Sequence, residues 1–183
     1  MRKDLGKKMQ FMPLPVAIIG TYDENGNANA MNAAWCGIMD YGKIYVSLSE
    51  HKTTTNLRKT KAFTLSFATK STEKISDYFG VVSGNKEDKI AKTGVHISDS
   101  KYVNAPIIDE YPLTLECSME AFEDGILIGK VENVSIDENY LTDNEKIDVD
   151  KMELITFDMT SNTYRVLGEV VGNAFKDGLE LYE

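Results

Sequence analysis

Lys43-Ile44-Tyr45-Val46-Ser47-Leu48-Ser49-Glu50-His51-Lys52-Thr53-Thr54-Thr55-Asn56-Leu57 reads as a strand, a polar turn and the opening of a short helix. The Lys43–Ser49 segment is built of β-formers, with Ile44, Val46 and Leu48 alternating on one face. Thr53 or Thr54 is a natural N-cap, and Leu57 starts the buried face of a helix running to about Thr60. From Lys52 to Lys61 there are four bases, Lys52, Arg58, Lys59 and Lys61, and no acid, in a chain of net charge −9. Three of them sit near the helix C-terminus, where they suit the macrodipole. Lys52 sits at the other end. A helix N-terminus offers free N–H groups to anions, so His51, Lys52 and Thr53 make a compact candidate phosphate site. The alternative for the same residues is a capped surface helix with solvated lysines.

Upstream, Pro13 and Pro15 forbid a helix and hold the chain extended. Val16–Tyr22 is a strand that starts apolar on both faces, which places it centrally in a sheet. Asn25-Gly26 suits a tight hairpin, and Ala28–Asn32 returns as its partner. Ala33–Gly37 is mostly small around Trp35, which lets a flat ring approach the backbone. A lone tryptophan in a β protein is ordinarily core, although a stacking role is open to it. Downstream, Ala62–Ala68 alternates as a strand. Ser71 caps a helix with Ile75, Tyr78 and Phe79 on its apolar face, ended by Gly80. A polar loop, Ser83–Lys86, leads to a short helix near 86–92. Leu113–Phe122 and Ile126–Ile136 flank a hairpin turn at Glu123–Gly125. Asp137–Asp150 is acidic and loop-like, without the central glycine and ligand spacing of a calcium loop. Leu154–Phe157 and Tyr164–Leu167 close the chain as strands. The expected fold is mainly β (α+β): one domain over 1–183, an antiparallel barrel with short helices at its ends.

A chain of 183 residues is long enough for a proper core. Its pI near 4.8 argues against nucleic acid and gives no support for an anionic membrane surface. Two cysteines, Cys36 and Cys117, make no framework, and each reads as a small buried hydrophobe. The N-terminus has no long apolar run, so it is neither a secretory signal nor a span, and a cytoplasmic protein is expected. No Rossmann fingerprint, Walker A pattern or Gly-x-Ser-x-Gly elbow occurs. His51 and His96 are the only histidines, and their separation does not support a metal site, so no metal is expected.

Asn32-Ala33-Ala34-Trp35, a strand, then His51-Lys52-Thr53-x-x-Asn56-Leu57 resembles the flavin-binding core of the flavin reductase-like FMN-binding split-barrel family, flavoredoxin branch. Ser83-Gly84 before Asp88-Lys89, Ala105-Pro106-Ile107 before Pro112-Leu113, Leu115-Glu116-Cys117, Gly129-Lys130-Val131 and Tyr164-Arg165-Val166-Leu167-Gly168 continue the likeness in order. The resemblance implies an antiparallel split β-barrel with short helices, and FMN, ahead of FAD, as cofactor. Asn32, Ala33, Ala34 and Trp35, with Ser47, Leu48 and Ser49, are then expected to line the ring and ribityl chain. His51, Lys52 and Thr53 are expected to take the phosphate. The Ser83–Lys89 loop is expected near the flavin. No catalytic residue is assigned, since the isoalloxazine itself carries the electrons.

Three functions follow. The first is an NAD(P)H-dependent flavin reductase, with NADH or NADPH as electron donor. The second is a flavoredoxin-like electron carrier with a protein redox partner, which the acidic surface suits if that partner is basic. The third is a non-catalytic ligand-binding barrel. A split barrel leaves sheet edges that pairing can cover, so a homodimer is expected.

Overall fold

The computed structural model describes residues 1–182. The chain opens with β1 (Leu14–Pro15), β2 (Ala17–Tyr22), β3 (Ala28–Ala33), β4 (Cys36–Asp40) and β5 (Lys43–Ser47). Helix α1 (Lys52–Thr60) and β6 (Ala62–Phe67) follow, then α2 (Glu73–Val81) and α3 (Lys89–Thr93). After β7 (Ile97–Asp99) and β8 (Pro106–Ile108) come two long strands, β9 (Leu113–Glu123) and β10 (Ile126–Ile136). Helix α4 (Val149–Met152), β11 (Ile155–Asp158) and β12 (Thr163–Val166) complete the β-rich part.

Seven strands form one antiparallel sheet in the order β3-β2-β6-β9-β10-β5-β4. Its two edges, β3 and β4, are joined through only Ala34 and Trp35. Laid flat, seven strands would hold their edges about 29 Å apart, at ~4.8 Å per strand. The link from Ala33 to Cys36 reaches at most about 11 Å. The sheet therefore has to curl until its edges meet at this corner, while β3 and β4 remain unpaired. That curl makes a half-barrel of the split-barrel type, as the sequence predicts.

The barrel interior holds Ala17, Ile19, Val46, Leu57, Phe63 and Leu127 among others. A second core, including Val16, Ile18, Phe79, Ile108 and Tyr111, lies between the other face of β2 and α2 with the β7–β8 and β11–β12 segments. Alternate residues of β2 thus enter different cores, which is why that strand is apolar on both faces. Strand β6 departs from simple alternation. Phe63 and Leu65 fill the barrel, but Thr64 and Ser66 are also buried, donating to the Pro106 carbonyl at 2.6 Å and sharing a 2.8 Å bond with the Thr114 hydroxyl.

Several local expectations are corrected. The β2–β3 connection is a three-residue hairpin in which Gly26, not Asn25, takes positive φ (81°). The β5 ladder stops at Ser47, although Leu48 stays buried. The N-cap of α1 is His51 rather than Thr53 or Thr54, because the Thr54 hydroxyl accepts the His51 N–H at 2.9 Å from the third helical position. Thr72, not Ser71, precedes α2, since its hydroxyl accepts the Thr69 N–H; the helix runs past Gly80 to Val81. The helix expected near 86–92 starts at Lys89, behind an Asp88 cap on the Ala91 N–H. Strand β4 and the β7–β8 hairpin were not anticipated, and the acidic loop contains a 3₁₀ turn, Glu138–Tyr140, and the start of α4. Trp35 is not core: it is 56% exposed.

Candidate functional site

The N-terminus of α1 is fixed by its own threonines. Thr54 is spent locally: its hydroxyl takes the His51 N–H and contacts the His51 carbonyl and Glu50. Thr53 is different. It is buried, and its Oγ1 accepts from Asn29 Nδ2 on β3 at 2.9 Å. Because Asn29 is the donor, the Thr53 O–H remains free to donate. The first-turn N–H groups beside it lack intrahelical acceptors and carry the positive end of the helix dipole.

Lys52 is not a solvated lysine. Its ammonium lies 3.4 Å from Asp23 Oδ2 in the β2–β3 hairpin, with both side chains largely shielded. The other Asp23 oxygen accepts the backbone N–H groups of Asn25 and Asn27 at 2.9 and 3.0 Å. Those turn bonds, Asn27 first, and the Lys52 ammonium hold the Asp23 carboxyl down at about 2. The other bases of α1 are also partnered or at its end: Arg58 chelates Glu50, Lys59 pairs with Glu24, and Lys61 is the C-cap.

A cleft of about 230 Å³ opens against this helix start. Asn29 and Asn32 of β3 and His51, Lys52 and Thr53 of α1 form one side. The end of α2 from Phe79, the Ser83-Gly84 turn and Lys89 form the other. Asn32 Nδ2 donates to the Ser76 carbonyl at 3.0 Å, tying α2 to β3. Gly84 is required by close approach: a Cβ there would fall 2.1 Å from Asn29 Oδ1. Loop, β3 and α1 are thus packed as one unit at the cleft.

The cleft collects Asn32, His51, Lys52 and Thr53 from the predicted set, and also the Ser83–Lys89 loop. It does not include Ala33, Ala34, Trp35, Ser47, Leu48 or Ser49. Those lie along the β3–β4 corner and the end of β5. The Trp35 carbonyl accepts the Ser47 N–H at 2.8 Å, and the Leu48 N–H reaches the Gly125 carbonyl at 2.7 Å. Ala33 and Leu48 are core, while Ser49 is exposed. Trp35 lines a separate apolar pocket of about 210 Å³ with Phe11, Cys36, Tyr45 and Met159. Burial pushes the Cys36 thiol up to about 11, so it is a protonated wall group rather than a thiolate. Among the described residues, no three His, Cys, Asp or Glu side chains gather to hold a metal, and no helix is long and apolar enough to cross a membrane.

Sequence reasoning missed Asn29 and Asp23. The available signal for Asn29 was an asparagine at an inward strand position. Asp23 looked like an ordinary turn residue, and its second role depends on a partner 29 residues away.

Residues 9–150 match the family described as flavin reductase like domain. No curated protein matches the chain. The structure of a flavoredoxin of Desulfovibrio vulgaris (Miyazaki F) is 33% identical, with 97% of this chain and 100% of that chain aligned and a TM-score of 0.93. A flavoredoxin from Methanosarcina acetivorans is 25% identical over 99% of each chain, TM-score 0.89. Nitrilotriacetate monooxygenase component B from Bacillus cereus, at 17% identity over 94% and 98% of the two chains, shares the fold with a TM-score of 0.78. With its curled seven-stranded sheet and a family match over most of its length, the chain belongs to the flavin reductase-like split-barrel family.

Proposed function

We propose that the chain binds FMN, with the phosphate at Lys52, Thr53 and the α1 N-terminus, and works as a flavin-dependent oxidoreductase of the flavin reductase type using NADH or NADPH. The observation that carries this reading is the convergence at one cleft of a shielded lysine, a hydroxyl whose proton Asn29 leaves free, and a helix N-terminus. These groups suit a phosphate monoester, and they favour FMN over a flavin without phosphate. The flavin supplies the electron chemistry once bound. The protein's part is to hold the phosphate, orient the ring along the Asn32–Trp35 corner and limit water. Likeness to a flavoredoxin along the whole chain supports the second reading, an electron carrier with a protein partner.

The cleft in one chain is smaller than the ~300–1,000 Å³ of ordinary ligand pockets. Edge strand β4 leaves Ile38 and Met39 exposed, with Trp35 and Tyr41 beside it. Both observations support a homodimer whose interface lies near this corner.

The purified protein is expected to bind FMN at micromolar concentration or below and to need no metal. Anaerobic NADH or NADPH is expected to bleach the visible flavin absorption within seconds, at roughly the ~10 per second turnover of an ordinary enzyme. Binding without bleaching selects the carrier reading. No FMN binding in equilibrium dialysis ends both and leaves the non-catalytic barrel. Light scattering of the FMN-loaded protein is expected to give twice the chain mass; a monomer at every concentration contradicts the dimer.

A further inference from the structure

Beyond β12 the chain leaves the barrel. Every residue from Gly168 to Tyr182 is exposed. The last backbone tie to the body is the Leu167 N–H on the Leu154 carbonyl at 3.1 Å. Among the described residues, no hydrogen bond joins 168–182 to anything outside itself. The segment nevertheless has a shape of its own. The Asn173 N–H donates to Asp177 Oδ2 at 2.7 Å, Phe175 takes positive φ (61°), and a 3₁₀ turn spans Asp177–Leu181. It is also rich in large apolar side chains. Val170, Val171, Phe175, Leu179, Leu181 and Tyr182 are each at least 63% exposed, and Phe175 is wholly so. A solvated linker is poor in such residues, and a run of them on a surface marks a contact.

One surface of the barrel is its complement. Trp35, Ile38, Met39 and Tyr41 are exposed at and beside edge strand β4, whose outer side has no partner strand. The apolar pocket of about 210 Å³ at Trp35 belongs to this corner, and none of its lining residues comes from 168–182 of the same chain. Charge agrees. Met9 and Phe11 of the pocket wall follow Arg2, Lys3, Lys7 and Lys8, set against the single acid Asp4, whereas the C-terminal segment carries Glu169, Asp177 and Glu180 against Lys176. A basic lip steers an acidic segment to this corner and disfavours others. We propose that residues 168–182 are an exchanged arm: in a dimer, each arm crosses to the second copy and lays Phe175 and the Leu179–Tyr182 side chains on that copy's Trp35 pocket and β4 edge. This deepens, and rests on, the homodimer reading given above. Twofold symmetry uses the contact twice. The two aromatic rings of one arm supply about 300–500 Å², at about 150–250 Å² each, and its aliphatic residues extend this toward the ~800 Å² per partner of a stable interface. The pocket at Trp35 is then closed only in the dimer.

The test uses the full chain, with and without FMN. Analytical ultracentrifugation is expected to show a dimer for the parent. In the triple variant Phe175→Ser, Leu181→Ser, Tyr182→Ser the changed side chains are all at least 91% exposed, so its far-UV circular dichroism is expected to match the parent. Its dimer dissociation constant is expected to rise at least about a hundredfold, since truncating buried aromatic anchors costs roughly tenfold or more each. Ile38→Ser with Met39→Ser, on the receiving surface, is expected to weaken the dimer similarly. Tyr102→Ser, a 61% exposed aromatic elsewhere, is expected to behave as the parent. Photocrosslinking then places the arm. Phe175→benzoylphenylalanine, in a mixture of ordinary and isotope-labelled chains diluted and reconcentrated together, is expected to link residue 175 of one chain to Met9, Met39 or Met159 of the other. Crosslinking keeps an aromatic ring at 175, so a misfolded triple variant does not remove the test. A triple variant that dimerises as tightly as the parent overturns the arm and leaves the dimer reading standing. Crosslinks confined to one chain overturn the exchange. Crosslinks to the other chain away from the Trp35 pocket and β4 overturn the docking site. A parent that is monomeric at every concentration overturns both the arm and the dimer. None of these outcomes depends on flavin binding, which equilibrium dialysis judges separately.

Discussion

Lys52→Ala is expected to weaken FMN by roughly a hundredfold while changing riboflavin little. Losing a charge-assisted hydrogen bond alone is worth about ten- to a hundredfold. The upper end applies here because Lys52 also neutralises Asp23. Remove the ammonium and an ionised carboxylate, held down at about 2 by its own turn, faces the incoming phosphate. Adding Asp23→Asn to Lys52→Ala is therefore expected to recover part of the loss. Thr53→Val acts in the same direction as Lys52→Ala but more weakly, since it removes one hydroxyl at nearly constant volume. Lys59→Ala is the control, because Lys59 pairs with Glu24 near the far end of α1. Raised salt shrinks the gap between parent and Lys52→Ala. Isothermal titration of both ligands reads all of this. Equal losses for FMN and riboflavin in Lys52→Ala, or a Lys59→Ala loss as large, would place the phosphate elsewhere.

Phe63→Ala is expected to cost about 3–5 kcal/mol of folding stability. Phe63 has no exposed surface and sits in the barrel core with Leu57, Leu65 and Leu127. Its ring fills space that a glycine leaves open: a Cβ on Gly129 of β10 would stand 2.4 Å from Phe63 Cζ and 2.9 Å from Cε1. Three of the groups around it come from paired β strands whose backbone cannot follow the lost ring without breaking ladder bonds. Gly129→Ala is expected to destabilise as well, by about 1–3 kcal/mol, through overpacking. Combining Phe63→Leu with Gly129→Ala should cost less than the sum of the two, because the smaller side chain vacates the space the new methyl needs. Urea unfolding followed by far-UV circular dichroism checks the series. A Phe63→Ala loss below about 1 kcal/mol would mean the barrel collapses around the gap, contrary to the packing described.

Period-two patterning by itself determined much of this protein. Ile44, Val46 and Leu48 point inward as their spacing says, the continuous apolar run of β2 does mean two buried faces, and Leu113–Ile136 is one long hairpin. The ordered motifs from Asn32 to Gly168 determined the family. Local spacing reports which face a residue occupies, and that information survives in the sequence. It does not report which distant strand lies alongside. Only the curl of the sheet brings β3 and β4 to one corner, and with that corner exposed Trp35 becomes a wall of an apolar pocket rather than core. Lys52 looked like a free cation because its partner, Asp23, belongs to another hairpin. Thr53 looked like a helix cap because Asn29, which frees its proton for a ligand, lies 24 residues upstream. Lys89 read only as the end of a polar loop, because local spacing cannot reveal that it is buried with its ammonium on the Phe79 carbonyl of α2. Each of these depends on contacts between segments far apart in the chain, and those exist only once the seven strands have closed into their half-barrel.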